Sequence, residues 1–238
     1  MTVQPNPGYQ TPPYARPGLQ NPSLNLRSDF GSEAGVTYSS VRGVGNFIAL
    51  TFDDGPHPKN TPRLLDILRQ RNIKATFYVI GNSVDSYPEI TRRIVAEGHE
   101  LGNHTYNHPN LTKLSNAGVR KELDRTRDAI VRATGVQPRT MRPPYGALLT
   151  RQREMIRSEY GYPTILWDVD PLDWKRPGTS VVRSRILSGT KSGSIVLAHD
   201  LHSTTVDAMP STLDALLNKG FRFITVSQLI ALKGAQQP

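Results

Sequence analysis

The sequence predicts an α/β fold, barrel-like or doubly wound, in which parallel strands are joined by crossover helices. Three observations predict it. Short apolar runs such as FIAL (47–50), ATFYVIG (75–81) and GSIVLAH (193–199) alternate with longer amphipathic stretches. Ionisable residues recur where those runs end, the edge on which α/β sheets build their sites. The chain has 238 residues, enough for one substantial core, although length alone also allows two small domains.

Residues 1–35 stand apart. Their Pro-, Asn- and Gln-rich text, QPNPGYQTPPYARPGLQNP, has no helical or strand period and reads as a flexible arm ahead of a domain over 36–238. In that domain FIALTF is the first strong strand. TPRLLDILRQRN (61–72) follows as a helix, with Thr61 as N-cap, Pro62 at the first helical position and Leu64, Leu65, Ile67 and Leu68 on its apolar face. ATFYVIG is the next strand, and PEITRRIVAEG (88–98) is a helix opened by Pro88 and closed by Gly98. HELGN (99–103) is a short strand, followed by a long amphipathic helix over 116–134 that Gly135 ends. A strand near RTMR (139–142) and a helix over 151–159 come next. YPTILWDV, GSIVLAH and FRFITV supply further strands, with helices near 179–187 and 206–217.

Composition narrows the partners. The formal charge is +9 and the pI about 9.9, which suits a polyanionic partner. Lys and Arg are nevertheless dispersed, with no basic block or aromatic-interleaved patch, so nucleic acid is not expected. There is no cysteine, which removes disulfide and thiolate–metal schemes. No apolar run approaches the ~20 residues of a membrane span.

TFDDGP (51–56) raises the chemical question. Two adjacent carboxylates, Asp53 and Asp54, end a buried strand, where neighbouring side chains point to opposite faces. Like charges so close repel unless a cation or hydrogen bonds hold them. HTYNH (104–108) supplies two imidazoles four residues apart. On a helical turn both would face one side, as two ligands of one metal do; alone, such a pair fits a solvated turn or a cap as well. Two His and one Asp leave an open position on zinc, the mark of a catalytic site.

TFDDGP, HTYNH, RPPY (142–145), DPLDW (170–174) and LAH (197–199), in this order, resemble the five motifs of the NodB-type polysaccharide deacetylases, carbohydrate esterase family 4. The resemblance spans about 47–232 and implies a distorted (β/α) barrel in a single domain. It implies Asp53 as general base, with Arg142 orienting and charge-stabilising it. Asp54, His104 and His108 would hold one divalent metal ion, expected to be zinc, with cobalt or another divalent ion possible. The backbone N–H of Tyr145 would help hold the oxyanion, His199 would be the general acid with Asp173 hydrogen-bonded to it, and Trp174 and Leu197 would wall the sugar pocket.

The chemistry of amide hydrolysis agrees. A poor electrophile with a poor leaving group needs an activated water, an oxyanion stabiliser and a proton donor. The expected substrate is an N-acetylglucosamine-containing polysaccharide. Peptidoglycan comes first, because the HDLHSTTVDAMP segment (199–210) is similar to that of bacterial peptidoglycan deacetylases. Chitin or chitooligosaccharide deacetylation and acetylxylan esterase activity are the alternatives. A catalytically dead carbohydrate binder is disfavoured by intact Asp53 and His199, and a metal phosphohydrolase by the lack of a second ligand cluster. A secreted or envelope-associated monomer is expected, its leader segment absent from this chain. His57 and His99 are expected to be structural, Asp170 a turn residue and Trp167 a core residue; Asp200 and His202 stay outside the site.

Overall fold

The computed structural model describes residues 36–234, so the arm expected over 1–35 lies outside the described residues. Their strands and α-helices, in chain order, are β1 (Thr37–Tyr38), β2 (Phe47–Asp53), α1 (Asn60–Gln70), β3 (Thr76–Val79), α2 (Gly81–Ser86), α3 (Pro88–Ala96), β4 (Glu100–Asn103), α4 (Asn116–Thr134), α5 (Thr150–Tyr160), β5 (Thr164–Ile165), α6 (Thr179–Gly189), β6 (Ile195–His199), α7 (Ser203–Asn218), β7 (Arg222–Phe223) and α8 (Val226–Gly234). β4, β3, β2 and β6 lie side by side, β7 pairs with the start of β2, and β1 pairs with β5. Every one of these ladders is parallel, as strand–helix alternation demands.

Single-residue bridges carry the pairing further. Asn103 pairs with Met141, Met141 with Thr164, and Val169 with Val196. Pairing thus passes from β4 through Met141 to the 164–169 stretch and back to β6. The regular ladders alone do not complete the barrel expected from the sequence. The strand expected near RTMR shrinks to the Met141 bridge, and that along YPTILWDV to β5 and the Val169 bridge.

The period of two in β2 sorts its side chains. Ile48, Leu50 and Phe52 join Leu64, Leu65 and Leu68 of α1, Ile94 of α3 and Met209 and Leu213 of α7 in the main core. Each fully buried Leu contributes roughly 1.5–3 kcal/mol. Ala49 belongs to a second cluster with Tyr78, Ile165, Ile195 and Leu229, and Thr51 and Asp53 follow it onto that face. In register, Ala49 faces Ile195, Thr51 faces Leu197 and Asp53 faces His199. The carboxyl ends of β2 and β6 therefore coincide, and each carries an ionisable residue.

Helix boundaries follow the sequence where a cap is explicit. α4 starts after Ser115, whose hydroxyl accepts from Gly118 N–H, and stops at Gly135 with φ 73°. Thr61, the expected cap of α1, is instead inside the helix. Its hydroxyl accepts from the His57 N–H at 2.7 Å and donates to Asp200. His57 Nδ1 takes over by accepting from the N–H groups of Lys59 and Asn60 at 3.2 and 3.1 Å. α7 begins at Ser203, three residues earlier than periodicity suggests, while α2 and α8 are not anticipated by the sequence pattern.

Candidate active site

β2 ends at Asp53, and the next residue leaves the strand with φ 74°. That left-handed turn, which Asp tolerates better than most side chains, breaks the strand alternation. Asp53 stays on the inner face while Asp54 swings round, and both line one cavity of about 430 Å³. Adjacency in sequence thus becomes adjacency in one site.

β4 delivers the imidazoles. His104 follows Asn103 directly and is buried, and the chain then turns through Thr105 (φ 66°) to His108 (φ 58°). The helical turn expected for HTYNH is absent. Two left-handed residues replace it and bring the rings to 4.9 Å between centroids. Nε2 of each ring lies 3.4 Å from Asp54 Oδ1, a buried atom with no hydrogen-bond partner. His104 Nδ1 is 2.6 Å from the Arg142 carbonyl, which fixes Nδ1 as the N–H and leaves Nε2 free to ligate. One ligand atom from each of Asp54, His104 and His108 falls within 4.8 Å of the others, a set that could hold a metal ion. An orphaned carboxylate oxygen between two free imidazole nitrogens is the arrangement a divalent cation fits.

The electrostatics agree. Burial pushes the Asp54 carboxyl up, but the neighbouring His104, then His108, bring its pKa down to about 2. Burial alone would lower the His104 pKa; Asp53 and Asp54 outweigh it, so the pKa is raised. His108, with the His104 charge beside it in addition to its own burial, is lowered.

Arg142 comes from the link after Met141 and is completely buried. Nη1 donates to Asp53 Oδ1 and to Thr51 Oγ1, both at 2.7 Å. Nη2 donates to the Leu166 carbonyl at 3.0 Å and Nε to that of Ile165 at 3.3 Å. The guanidinium also lies 4.3 Å from the Tyr78 ring centroid. Its fork is therefore committed on every side, and it fixes Asp53 from one direction only.

On the neighbouring strand β6, His199 Nδ1 meets Asp173 Oδ1 at 2.8 Å. Asp173 is buried and also accepts from the N–H groups of His199 and Trp174 and from the Thr205 hydroxyl. Burial raises the Asp173 pKa, but His199 and these bonds lower it overall. For His199, burial opposes the charged form, yet Asp173, then Asp53 and Asp54, raise its pKa to about 9.

Tyr145 (φ 61°), Trp174 and Leu197 line the cavity. The Tyr145 ring stands edge-on to His108 at 4.8 Å. The cavity also takes in two residues outside the site expected from the sequence. Trp167 lines it instead of packing in the core, and Asp170 lines it while Oδ1 accepts from Leu172 N–H in a turn. Both follow β5 too closely for hydropathy to tell rim from interior. His99 is structural: it is buried, Nδ1 accepts from Ala75 N–H, and burial lowers its pKa to about 4. Asp200 sits behind the DDGP turn, so that a Cβ on Gly55 would come within 2.5 Å of its Oδ2. Burial, then the Asp54 charge, raises the Asp200 pKa to about 7. His202 lies at the start of α7, its ring 6.4 Å from that of His199.

The fold and site define an α/β protein with a candidate metal centre at the carboxyl ends of parallel strands. The chain belongs to the polysaccharide deacetylase family, which residues 41–165 match. It is 43% identical over 186 residues to the peptidoglycan-N-acetylglucosamine deacetylase PgdA of Listeria monocytogenes, covering 78% of this chain and 39% of that protein. The chain thus spans about two fifths of that relative's length. It is 39% identical over 208 residues to a chitooligosaccharide deacetylase of a Bradyrhizobium strain, covering 81% of this chain and 94% of the relative. Among solved structures, peptidoglycan deacetylase PdaC from Bacillus subtilis superposes with a TM-score of 0.75 at 39% identity, covering 80% of this chain and 93% of that one.

Proposed function

We propose that this protein is a metal-dependent N-deacetylase that removes acetyl groups from N-acetylglucosamine residues of peptidoglycan. One observation carries the reading. A single cavity holds the Asp54–His104–His108 cluster, with an Arg142-held carboxylate and an Asp173-held imidazole beside it.

Asp53, immobilised by Arg142 through Oδ1, accepts the proton of the attacking water. The water oxygen bonds to the acetyl carbon, and the developing oxyanion is held in part by the Tyr145 backbone N–H. His199, kept protonated by Asp173, delivers its proton to the nitrogen as the C–N bond breaks, releasing acetate and a free amine. Asp54, His104 and His108 would hold a divalent ion, zinc by ligand type and count, which would supply Lewis acidity to the water and to the carbonyl. Trp174 and Leu197 flank the sugar, and Trp167 and Asp170 extend that wall.

Likeness to PgdA and PdaC supports peptidoglycan as the polymer. The Bradyrhizobium relative, matched over nearly its whole length, supports chitooligosaccharides as the second reading. A cell-wall substrate implies a secreted or envelope-associated protein. All residues of the proposed machinery come from one chain, so a monomer suffices, and trimming the 1–35 arm should leave it active. The test is acetate release from peptidoglycan, chitin oligomers and acetylxylan by zinc-loaded protein, before and after chelation. Release from peptidoglycan that chelation abolishes and zinc restores supports the reading. Release from acetylxylan alone, or full turnover in verified metal-free protein, overturns it.

A further inference from the structure

The four-residue spacing of His104 and His108 is held by an element far from the site in sequence. Six backbone polar groups over 105–108 find partners outside any regular helix or ladder. Thr105 N–H donates to Asn103 Oδ1 at 3.0 Å, and His108 N–H to Thr105 Oγ1 at 3.1 Å. The carbonyls of Thr105 and Tyr106 accept from the N–H groups of Gly81 and Asn82, at the start of α2, at 3.0 and 3.2 Å. The N–H groups of Tyr106 and Asn107 both go to one oxygen, Glu122 Oε2 on α4, at 2.9 and 2.8 Å. Asn107 Nδ2 donates to Glu122 Oε1 at 2.9 Å.

Glu122 is buried, and it is the only charged side chain in this set. α4 is itself tied to the ligand strand, since Asn103 Nδ2 donates to the Leu123 carbonyl at 2.9 Å. The carboxylate thus bridges a rigid helix to the two residues lying between the candidate ligands.

We propose that Glu122 is a positioning residue for the metal site: its carboxylate pre-forms the 104–108 loop so that both imidazoles face Asp54 before an ion arrives. This rests on the reading of Asp54, His104 and His108 as metal ligands. Groups that orient ligands from behind typically change metal affinity by about 10–100-fold when removed. Glu122→Ala removes all three bonds and should weaken zinc binding within that range. Glu122→Gln keeps a carbonyl oxygen for the two backbone N–H groups, and the Asn107 amide can turn to accept from the new NH₂. It should bind zinc close to the wild-type affinity.

Zinc affinity is measured by competition with a chromophoric chelator, alongside amide hydrogen exchange of the metal-free wild-type protein. The proposal expects Glu122→Ala to lose affinity, Glu122→Gln to keep it, and the Tyr106 and Asn107 amides to be protected without metal. A folded Glu122→Ala protein with wild-type zinc affinity overturns it while leaving the metal reading intact. If Glu122→Ala does not fold, the exchange decides: amides that become protected only when zinc is added overturn the proposal, and amides already protected support it. A wild-type protein that takes up no zinc removes the metal reading, and the proposal falls with it.

Discussion

Asp53 and His199 are register partners on the neighbouring parallel strands β2 and β6, each the last residue of its strand. Partners in a ladder share a face, so the proposed base and acid stand on one wall by the pairing of β2 with β6 alone. Their second contacts differ in sign, Arg142 for Asp53 and Asp173 for His199. The same wall thus carries a carboxylate held by a cation and an imidazole held by an anion.

That asymmetry makes the pH profile informative. The His199 pKa is raised from 6.5 to about 9, with burial opposing and Asp173 the largest favourable cause. A raised folded-state pKa contributes stability that is fully present below about 6.5 and is lost as pH rises through about 9. Asp173→Asn removes the favourable cause and leaves the burial, so the alkaline limb of kcat should move to lower pH. The stability gap between wild type and variant should narrow from neutral to strongly alkaline pH. A folded variant with an unmoved alkaline limb contradicts the pairing.

Arg142 should resist replacement by any other cation. Lys offers a point charge and cannot span Asp53, Thr51 and two backbone carbonyls at once. Arg142→Lys should fold and lose about 100-fold in kcat through misplacement of Asp53. Arg142→Met leaves a buried carboxylate without its partner and should cost about 3–5 kcal/mol in urea unfolding. Near-wild-type kcat in the lysine variant would show that Asp53 needs charge but not orientation.

Gly55 should be required for its missing side chain. A methyl group there would press on the Asp200 carboxylate, which Thr61 ties down. Gly55→Ala should destabilise by roughly 1–3 kcal/mol. Adding Asp200→Ala opens the space, so the double variant should lose less than the sum of the two singles. Strictly additive losses would mean that the contact does not govern the position.

Much of this site is legible in the sequence because three of its motifs, TFDDGP, HTYNH and LAH, sit where a strand ends. FIALTFD and GSIVLAH give β2 and β6 by hydropathy, and their last residues are the ionisable ones. The turns are not legible. Asp and His tolerate a positive φ better than most residues and Thr does not, but for all three local propensity still favours other conformations, so the turns at Asp54, Thr105 and His108 are set by tertiary ties. Glu122 reads as one more charge on an amphipathic helix, since its partners are backbone N–H groups that no side-chain pattern reveals. Thr61 reads as a cap until Asp200, far along the chain, claims its hydroxyl. Met141 forms a bridge of one residue, too short for periodicity to define.

In the proposed mechanism the chain turn at Asp54 splits an adjacent pair of carboxylates into a base and a ligand. Measuring zinc stoichiometry together with acetate release for Asp53→Asn and Asp54→Asn tests it most directly, because both changes remove one charge and keep the shape. Asp54→Asn should bind zinc far more weakly, with some activity recovered in excess metal. Asp53→Asn should bind zinc normally while turnover falls by about 10²–10⁴-fold, with no recovery on adding metal. Loss of zinc by Asp53→Asn with retention by Asp54→Asn, or equal loss by both, would contradict the split.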